Sequence, residues 1–410
     1  MQLVEQHIIS KGDPRYTRID QAAFAPKNLW NLANYYVRQS FIFEHKYLDN
    51  AAVYHIVKSS DAYRALPAKV SNQVLIQLHN AWTGFFEAME GWREHPEQFT
   101  GRPKLPGYQP KTAGRNLLVY ELGAVWKREL DRGLIAVSSL GVLVQTAQER
   151  STLDQVRIVP KAEHYVVEVV YQFEPTQAQT DPNLFVALDL GVNVLAALTS
   201  NKPGFIPRLV NGRPVKATNQ LYNKQRAQEQ KNLARGKEPR LTSHRLDRIT
   251  TKRNRRVKAY LHTASRRIID HLVTEGIGSV VVGKNPFWKQ EVEMGKKNNQ
   301  EFVQIPHARF IEMLTYKAKL VGIQVILQEE SYTSKASFLD RDPLPTYAPG
   351  RKEKPQFRGK REKRGLYRAS DCRRIRADVN GSYNVLRKAF PNSFGQGIEA
   401  PAVVPRRLAV

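Results

Sequence analysis

The sequence predicts a multidomain protein of mixed α and β structure, and three observations lead there. At 410 residues the chain is too long for one hydrophobic core, since cores stop growing beyond roughly 250 residues. Its apolar periodicity changes along the chain, from helical spacing before about residue 104 to alternation between about Asn116 and Glu174. Its second half reads as a sheet with helical crossovers.

A short opening segment is expected to be a strand. Pro26 then begins a helical pattern through Trp30, Ala33 or Asn34, Val37 and Phe41. A longer helix is predicted from Ala68 to about Arg93, where Val70, Val74, Leu78, Trp82, Phe86 and Met89 form one stripe. Such a regular face is what a packed core needs. Gly101, Pro103, Pro106, Gly107 and Pro110 end the helical part.

The β-rich stretch is clearest where Tyr165, Val167, Val169 and Tyr171 alternate with their neighbours. After the polar Pro175 to Pro182 segment, Leu184 to Ser200 reads as two buried strands joined at Gly191 to Asn193. Ala217 to about Gly276 is helical and very basic. Ser279 to Val282 is a strand, Pro306 opens a helix that Gly322 ends, and Ile323 to Leu327 is a second strand, which makes a β-α-β unit. Asp340 to Gly365 reads as an exposed loop. Asp378 starts a helix ended by Pro391, and the residues beyond read as a flexible tail.

Lys and Arg total 64 against 38 Asp and Glu, a formal charge of +26, which favours a polyanionic partner. Aromatic residues at 9% and hydrophobic residues at 41% are those of a folded protein, so the charge is not that of a basic tail alone. Arg245, Arg248, Lys252, Arg253, Arg255, Arg256 and Lys258 crowd one helical hairpin. Charge runs are usually solvated helix faces, but this density favours a surface that tracks phosphates.

A single cysteine, Cys372, excludes internal disulfides and any zinc site of two or more thiolates, and fits a reducing compartment. The opening MQLVEQHIISKGDPRY lacks a leader pattern and no apolar run reaches about 20 residues, so a soluble, unexported protein with no membrane partner is expected.

Three acidic residues stand out: Asp189 inside an apolar strand, Glu330 just past a strand end and Asp378 at a helix start. Singly, a strand Asp is commonly hydrogen-bonded structure and a helix-start Asp a cap. Beside basic helices, however, three carboxylates from separate elements suit phosphodiester cleavage by two Mg²⁺ ions about 4 Å apart, which needs hard oxygen ligands. His307 has no His or Cys partner nearby and reads as structural.

These residues also carry a family resemblance. ALDLGVNVLAALTS resembles the first RuvC motif of TnpB/OrfB proteins and type V CRISPR effectors, with Asp189 at its metal-binding position. ADVNGSYNVLRKAF resembles the third motif, with Asp378, Asn380 and Asn384 in place. YLHTASRRIIDHLVTEGIGSVVVG and IPHARFIEMLTYKAKLVGIQVI are similar to the family's intervening helix and strand pattern, and LPAKVSNQVLIQLHNAWTGFFEAMEGW resembles its helical recognition segment.

Two departures matter. VVVGKN puts Gly283 where the family's second-motif Glu is expected. Some TnpB relatives and the Fanzor proteins carry that Glu one strand later, before a Thr-Ser-Lys element, and QEESYTSK makes Glu330 the matching residue. Neighbouring strands lie about 4.8 Å apart, so the shift is physically allowed, and alternation favours Glu330 over Glu329. The alternative is that both are exposed turn carboxylates. The family's four-cysteine zinc ribbon is also absent from Ser331 to Ala377. That segment is expected to meet target DNA through Lys352, Lys354, Arg358, Lys360, Arg361, Lys363 and Arg364, and Lys335 joins the nucleic-acid-binding set.

The resemblance implies an α/β RNase H-like (RuvC) nuclease domain with a β-barrel-like wedge module and a helical recognition insertion. The expected division is 1–25 and 105–180 for the wedge, 26–104 for the insertion, and 183–332 with 366–392 for the nuclease domain, its basic hairpin at 217–275. A degenerate target-binding insertion takes 333–365 and a tail 393–410. It implies an RNA-guided, metal-dependent DNA endonuclease encoded by a transposon, cutting beside a short motif. Asp189, Glu330 and Asp378 would hold two Mg²⁺ and no zinc, with a transposon-end guide RNA (omega RNA) and double-stranded DNA as partners. A prokaryotic cytoplasmic, nucleoid-associated setting follows. Gly283 supports one alternative, a nuclease-inactive RNA-guided binding protein. Direct transposase chemistry is weaker, because no separate strand-transfer nucleophile is evident.

Overall fold

The computed structural model describes residues 1–235, 241–285, 295–347, 355–363, 365–394 and 403–410, which form two compact units, Met1–Phe173 and Glu174–Val410. Lys352, Lys354 and Arg364 fall outside the described residues. Among the described residues no helix is long and apolar enough to cross a membrane.

In the first unit, β1 (Gln2–Ser10), β2 (Leu118–Glu121), β5 (Leu153–Lys161) and β6 (His164–Gln172) form an antiparallel sheet in the order β1-β6-β5-β2, and β3 (Leu134–Ala136) pairs with β4 (Leu143–Gln145). The sheet is open among the described residues, because β1 and β2 are unpaired edges; the barrel expected here does not close. Helices α1 (Tyr16–Phe43), α2 (Asn50–Val57), α3 (Asp61–Arg64) and α4 (Ala68–Glu94) make the helical part, and α5 (Lys127–Leu130) is a single turn.

The first helix begins ten residues before Pro26, not at it. Proline in a helix interior removes one backbone donor. The carbonyl left without that donor is that of Ala22, four residues back; the neighbouring Ala23 carbonyl receives the Asn116 N–H at 3.0 Å. The helix also changes cores near this point. Ile19 and Ala23 pack with Leu118, Val156 and Val167 of the sheet, whereas Leu29, Ala33 and Val37 pack with Trp82, Leu78 and Val74 of α4.

In the second unit, β7 (Asp181–Leu190), β8 (Val194–Ser200), β9 (Arg208–Asn211), β10 (Ile277–Gly283), β11 (Gln324–Gln328) and β15 (Arg406–Leu408) form one sheet in the order β11-β10-β7-β8-β9-β15. Only β8 runs against the others. Helices α6 (Arg213–Ala234) and α7 (His244–Thr274) make the basic hairpin; α8 (Lys296–Val303) and α9 (His307–Leu320) lead to β11, and α10 (Ala377–Ala389) follows the small sheet β12 (Lys360–Lys363), β13 (Leu366–Arg368) and β14 (Arg374–Arg376).

Strand alternation assigns the two faces. Val186, Leu188 and Leu190 of β7 pack with Leu261 and Ile268 of α7 and Phe310 and Leu314 of α9. Ala187 and Val281 pack with Val385 and Leu386 of α10. By parity Asp189 and Gly283 share that second face.

Two expectations are corrected here. The segment from Asp340 to Gly365 is not simply an exposed loop: Asp342 is 2% exposed and Lys360–Lys363 is a strand. Nor is the end of the chain wholly a tail, because Arg406–Leu408 pairs with Arg208–Val210 along the edge strand β9. An open edge offers unpaired backbone groups, and three extended residues satisfy them.

Candidate active site

Three elements bring the acidic residues together. Asp189 lies near the end of β7, Glu330 two residues beyond β11, and Asp378 in the first turn of α10. All three are half-buried.

The Glu330 side chain lies against Gly283, the position at which a second-motif glutamate is expected. A Cβ at Gly283 would stand within van der Waals range of the Glu330 carboxylate and 3.1 Å from Val385 Cγ2. The Glu330 side chain thus fills the space above Gly283, one strand from Asp189. Parity explains this, since Glu330 continues the face of Ile326 and Gln328. Glu329 points elsewhere: it pairs with Lys388 and accepts the Ser331 N–H at 2.6 Å.

Asp189 is seated with equal closeness against α10. A Cβ at position 381 would lie 2.5 Å from Asp189 Oδ2, so only glycine lets the helix backbone approach. Gly381 is a residue that sequence reasoning missed. Its signal was a glycine inside a helix with no turn or cap to explain it.

The charges oppose one another. Burial, then Glu330 and Asp378, hold the Asp189 carboxyl well above the usual range, with Arg361 pulling the other way. Burial, then Glu329, pushes Glu330 up to about 7 despite Lys388. Carboxylates crowded this way need cations to ionise together.

The donor set fits divalent ions, being hard oxygens from three elements. The three carboxylates do not all approach within 4.8 Å of one another.

Buried polar side chains fix this arrangement. Asn380 donates to the Ala336 carbonyl at 2.8 Å and accepts the Phe338 N–H at 2.9 Å. Asn384 donates to the carbonyls of Thr333 and Ala336 at 2.9 and 2.8 Å. The helix bearing Asp378 therefore clamps the loop that follows Glu330. The Ser382 hydroxyl lies 3.0 Å from the carbonyls of Ala187 and Ala197 and 2.9 Å from the Thr199 hydroxyl, tying α10 to β7 and β8. His307 is structural: it is buried with Nε2 3.2 Å from the Gly191 carbonyl.

The segment matching the zinc-ribbon position is organised by a carboxylate. Asp342 accepts the backbone N–H groups of Ser337 and Arg358 at 2.9 and 3.1 Å and the Arg358 guanidinium at 3.1 Å. Lys335 is exposed, and its carbonyl accepts the Tyr367 hydroxyl at 2.7 Å. Cys372 is exposed.

On α7, Val257, Leu261, Ala264 and Ile268 face the core, and Arg245, Arg248, Lys252, Arg255 and Arg256 are exposed. Lys258 is half-buried. Arg253 differs from these. It binds Asn219 Oδ1 at 2.7 Å and the Gln304 carbonyl at 2.8 Å and lies over the Tyr222 ring, so its guanidinium braces the hairpin instead of facing solvent.

The strand order and one antiparallel member define an RNase H-like domain, carrying acidic residues at the ends of two strands and at a helix start. Two family models match this same unit and part of the strand before it. "Probable transposase" (OrfB_IS605) covers residues 165–287 and "Cas12f1-like, TNB domain" covers 307–385. The chain is a TnpB-like relative of the type V effectors. It is similar to a solved Cas12f1–sgRNA–target DNA complex (14% identity, 90% of this chain, 81% of that one, TM-score 0.49). It is likewise similar to the mini-RNA-guided endonuclease CRISPR-Cas_phi3 (9%, 97%, 93%, TM-score 0.45). No curated protein matches it.

Proposed function

We propose that this protein is an RNA-guided, metal-dependent DNA endonuclease of transposon origin, with Asp189, Glu330 and Asp378 as its metal-holding carboxylates. The observation that carries the reading is the Glu330 carboxylate above Gly283, on the Asp189 face of the sheet. A chain that had merely lost the second-motif glutamate would have no reason to fill that space with another carboxylate.

The three residues would hold two Mg²⁺ ions, which when bound activate water and stabilise the leaving oxygen. The chain itself supplies the rest. Gly283 and Gly381 leave room for the Glu330 and Asp189 carboxylates. Asn380, Asn384 and Ser382 hold the three bearing elements in register. The exposed arginines and lysines of α7, with Lys335, would contact the phosphates of a guide RNA and its DNA target, leaving sequence to base pairing. In this reading the helical part of the first unit is the recognition insertion and its sheet the wedge.

The test is plasmid cleavage in Mg²⁺ by protein co-purified with its RNA, comparing wild type with Asp189→Ala, Glu330→Ala and Glu329→Ala. Wild type and Glu329→Ala are expected to cut and the other two to fail. Target binding by wild type without any cutting would replace this reading with an RNA-guided binding protein.

A further inference from the structure

Strand β11 ends the six-stranded sheet on one side, and among the described residues it pairs only with β10. Its sequence, QVILQ, carries no charge, and neither does the whole stretch from Leu320 to Gln328. Open edges are ordinarily shielded by a charge, a proline or a bulge, since their unpaired backbone groups take up any strand that meets them. The opposite edge of the same sheet has that shield in Arg406 and Arg407 of β15, both exposed. Strand β11 has none, and its Leu327 is 53% exposed.

Backbone parity says which groups are unpaired. The Gln328 carbonyl accepts the Lys284 N–H at 2.8 Å, so Gln328 turns its backbone groups toward β10. Alternation makes Ile326 and Gln324 do the same and turns the N–H and C=O of Val325 and Leu327 outward. The five residues also read alike in both directions: glutamine, aliphatic, Ile326, aliphatic, glutamine. A second β11, laid antiparallel across a two-fold axis at Ile326, would set each copy's Val325 opposite the other's Leu327. Both residues carry outward backbone groups, so each such pair would exchange both N–H···O bonds, and Ile326 would meet its own counterpart in a non-hydrogen-bonded pair. The exposed Leu327 would then lie beside a valine. A nucleic acid has no row of peptide groups to match this edge, and no cation stands on the strand to draw one.

We propose that β11 is a self-association surface, joining two copies of this chain into one continuous sheet by antiparallel pairing centred on Ile326. The pairing uses none of the carboxylates and so does not rest on the nuclease reading.

The experiment is sedimentation velocity of the full chain, freed of nucleic acid, in about 0.5 M salt, where a Debye length of about 4 Å removes most of the repulsion between two basic copies. Wild type should pass from monomer to dimer as its concentration rises to about 100 µM. Leu327→Lys should raise the dissociation constant at least about tenfold, because it puts a charge at the seam and leaves the β10 side of the strand intact. Leu241→Lys, the same change at a residue 92% exposed elsewhere in the second unit, should leave it within about twofold. The register has its own check: in a Cys372→Ser background under air, Ile326→Cys should form a disulfide between copies, because a non-hydrogen-bonded pair holds its Cα atoms about 4.5 Å apart. Gln324→Cys should not. Hydrogen exchange of wild type decides without any substitution, since the Val325 and Leu327 amides should slow as the concentration rises. A chain still monomeric at about 100 µM overturns the self-association, as do equal effects of the two lysine changes, a dimer without the Ile326→Cys crosslink, or exchange that ignores concentration. A monomer that binds a synthetic peptide of Gly322 to Gln328 would give the edge to a strand of another protein, and that too overturns pairing between copies.

Discussion

The Glu330 carboxylate occupies the space that a side chain at Gly283 would need. The two positions are therefore mutually exclusive, one strand apart, as sources of the same acidic group.

That exclusivity predicts a swap. Gly283→Ala should push the Glu330 carboxylate out of place, lowering plasmid cleavage more than about 100-fold, beyond the 10–100-fold typical of changes around metal ligands. Overpacking against Val385 adds about 1–3 kcal/mol of destabilisation. Glu330→Ala should lose as much cleavage without the overpacking. The double change Gly283→Glu/Glu330→Ala should recover part of it, since it returns a carboxylate from the neighbouring strand. Cleavage rates of the four proteins at fixed Mg²⁺ check this.

The same crowding sets a pH dependence. Asp189 is held above the usual carboxylate range and Glu330 reaches about 7, so the fold binds protons that the unfolded chain releases near pH 4 to 4.5. A raised acid stabilises the fold at low pH, and that stability is lost as pH climbs toward 7. Metal-free protein should thus lose about 2 kcal/mol from Glu330 between pH 5 and 8, a figure reduced for its partial exposure. Mg²⁺ should raise Tm more at pH 8 than at pH 5.5, and Glu330→Gln should flatten the metal-free profile. Calorimetric scans across that pH range decide it.

What could be read from the sequence was the part with local signals. Asp189 interrupts an apolar run, Glu330 follows a strand at the right parity, and Asp378 opens a helix; each is visible without knowing the fold. Arg213, Arg361, Arg376 and Arg407 are not, because they are dispersed along the chain and only the fold brings them around one pocket. The small β12-β13-β14 sheet was hidden for a related reason: it buries only Tyr367 and Ile375 and presents charges elsewhere. The first helix was misplaced because Pro26 looked like a start, whereas the helix begins at Tyr16 and runs through it, changing cores near that point.

Asn380 is predicted to matter more for order than for charge. It is fully buried, and Asn380→Ala would leave the Phe338 N–H without its partner, while the Ala336 carbonyl keeps its bond from Asn384. The orphaned N–H costs about 1–3 kcal/mol, so urea unfolding should show a loss of at least about 1 kcal/mol. Cleavage should fall with it, and the amides of residues 333–338 should exchange faster. Unchanged exchange there would mean that the loop after Glu330 is held by something other than α10.

Asp342 is expected to do the job that metal does in a zinc ribbon. It is 2% exposed and gathers two backbone N–H groups and a guanidinium from both sides of the segment. Removing Asp342 costs about 1–3 kcal/mol, because the buried Ser337 N–H is left without its acceptor, while the exposed Arg358 guanidinium can turn to water. Asp342→Ala should therefore lower Tm and open 337–342 to proteolysis, while a zinc chelator leaves the wild-type melting curve where it was. A chelator-sensitive melt would place a metal in this segment and demote Asp342 to a bystander.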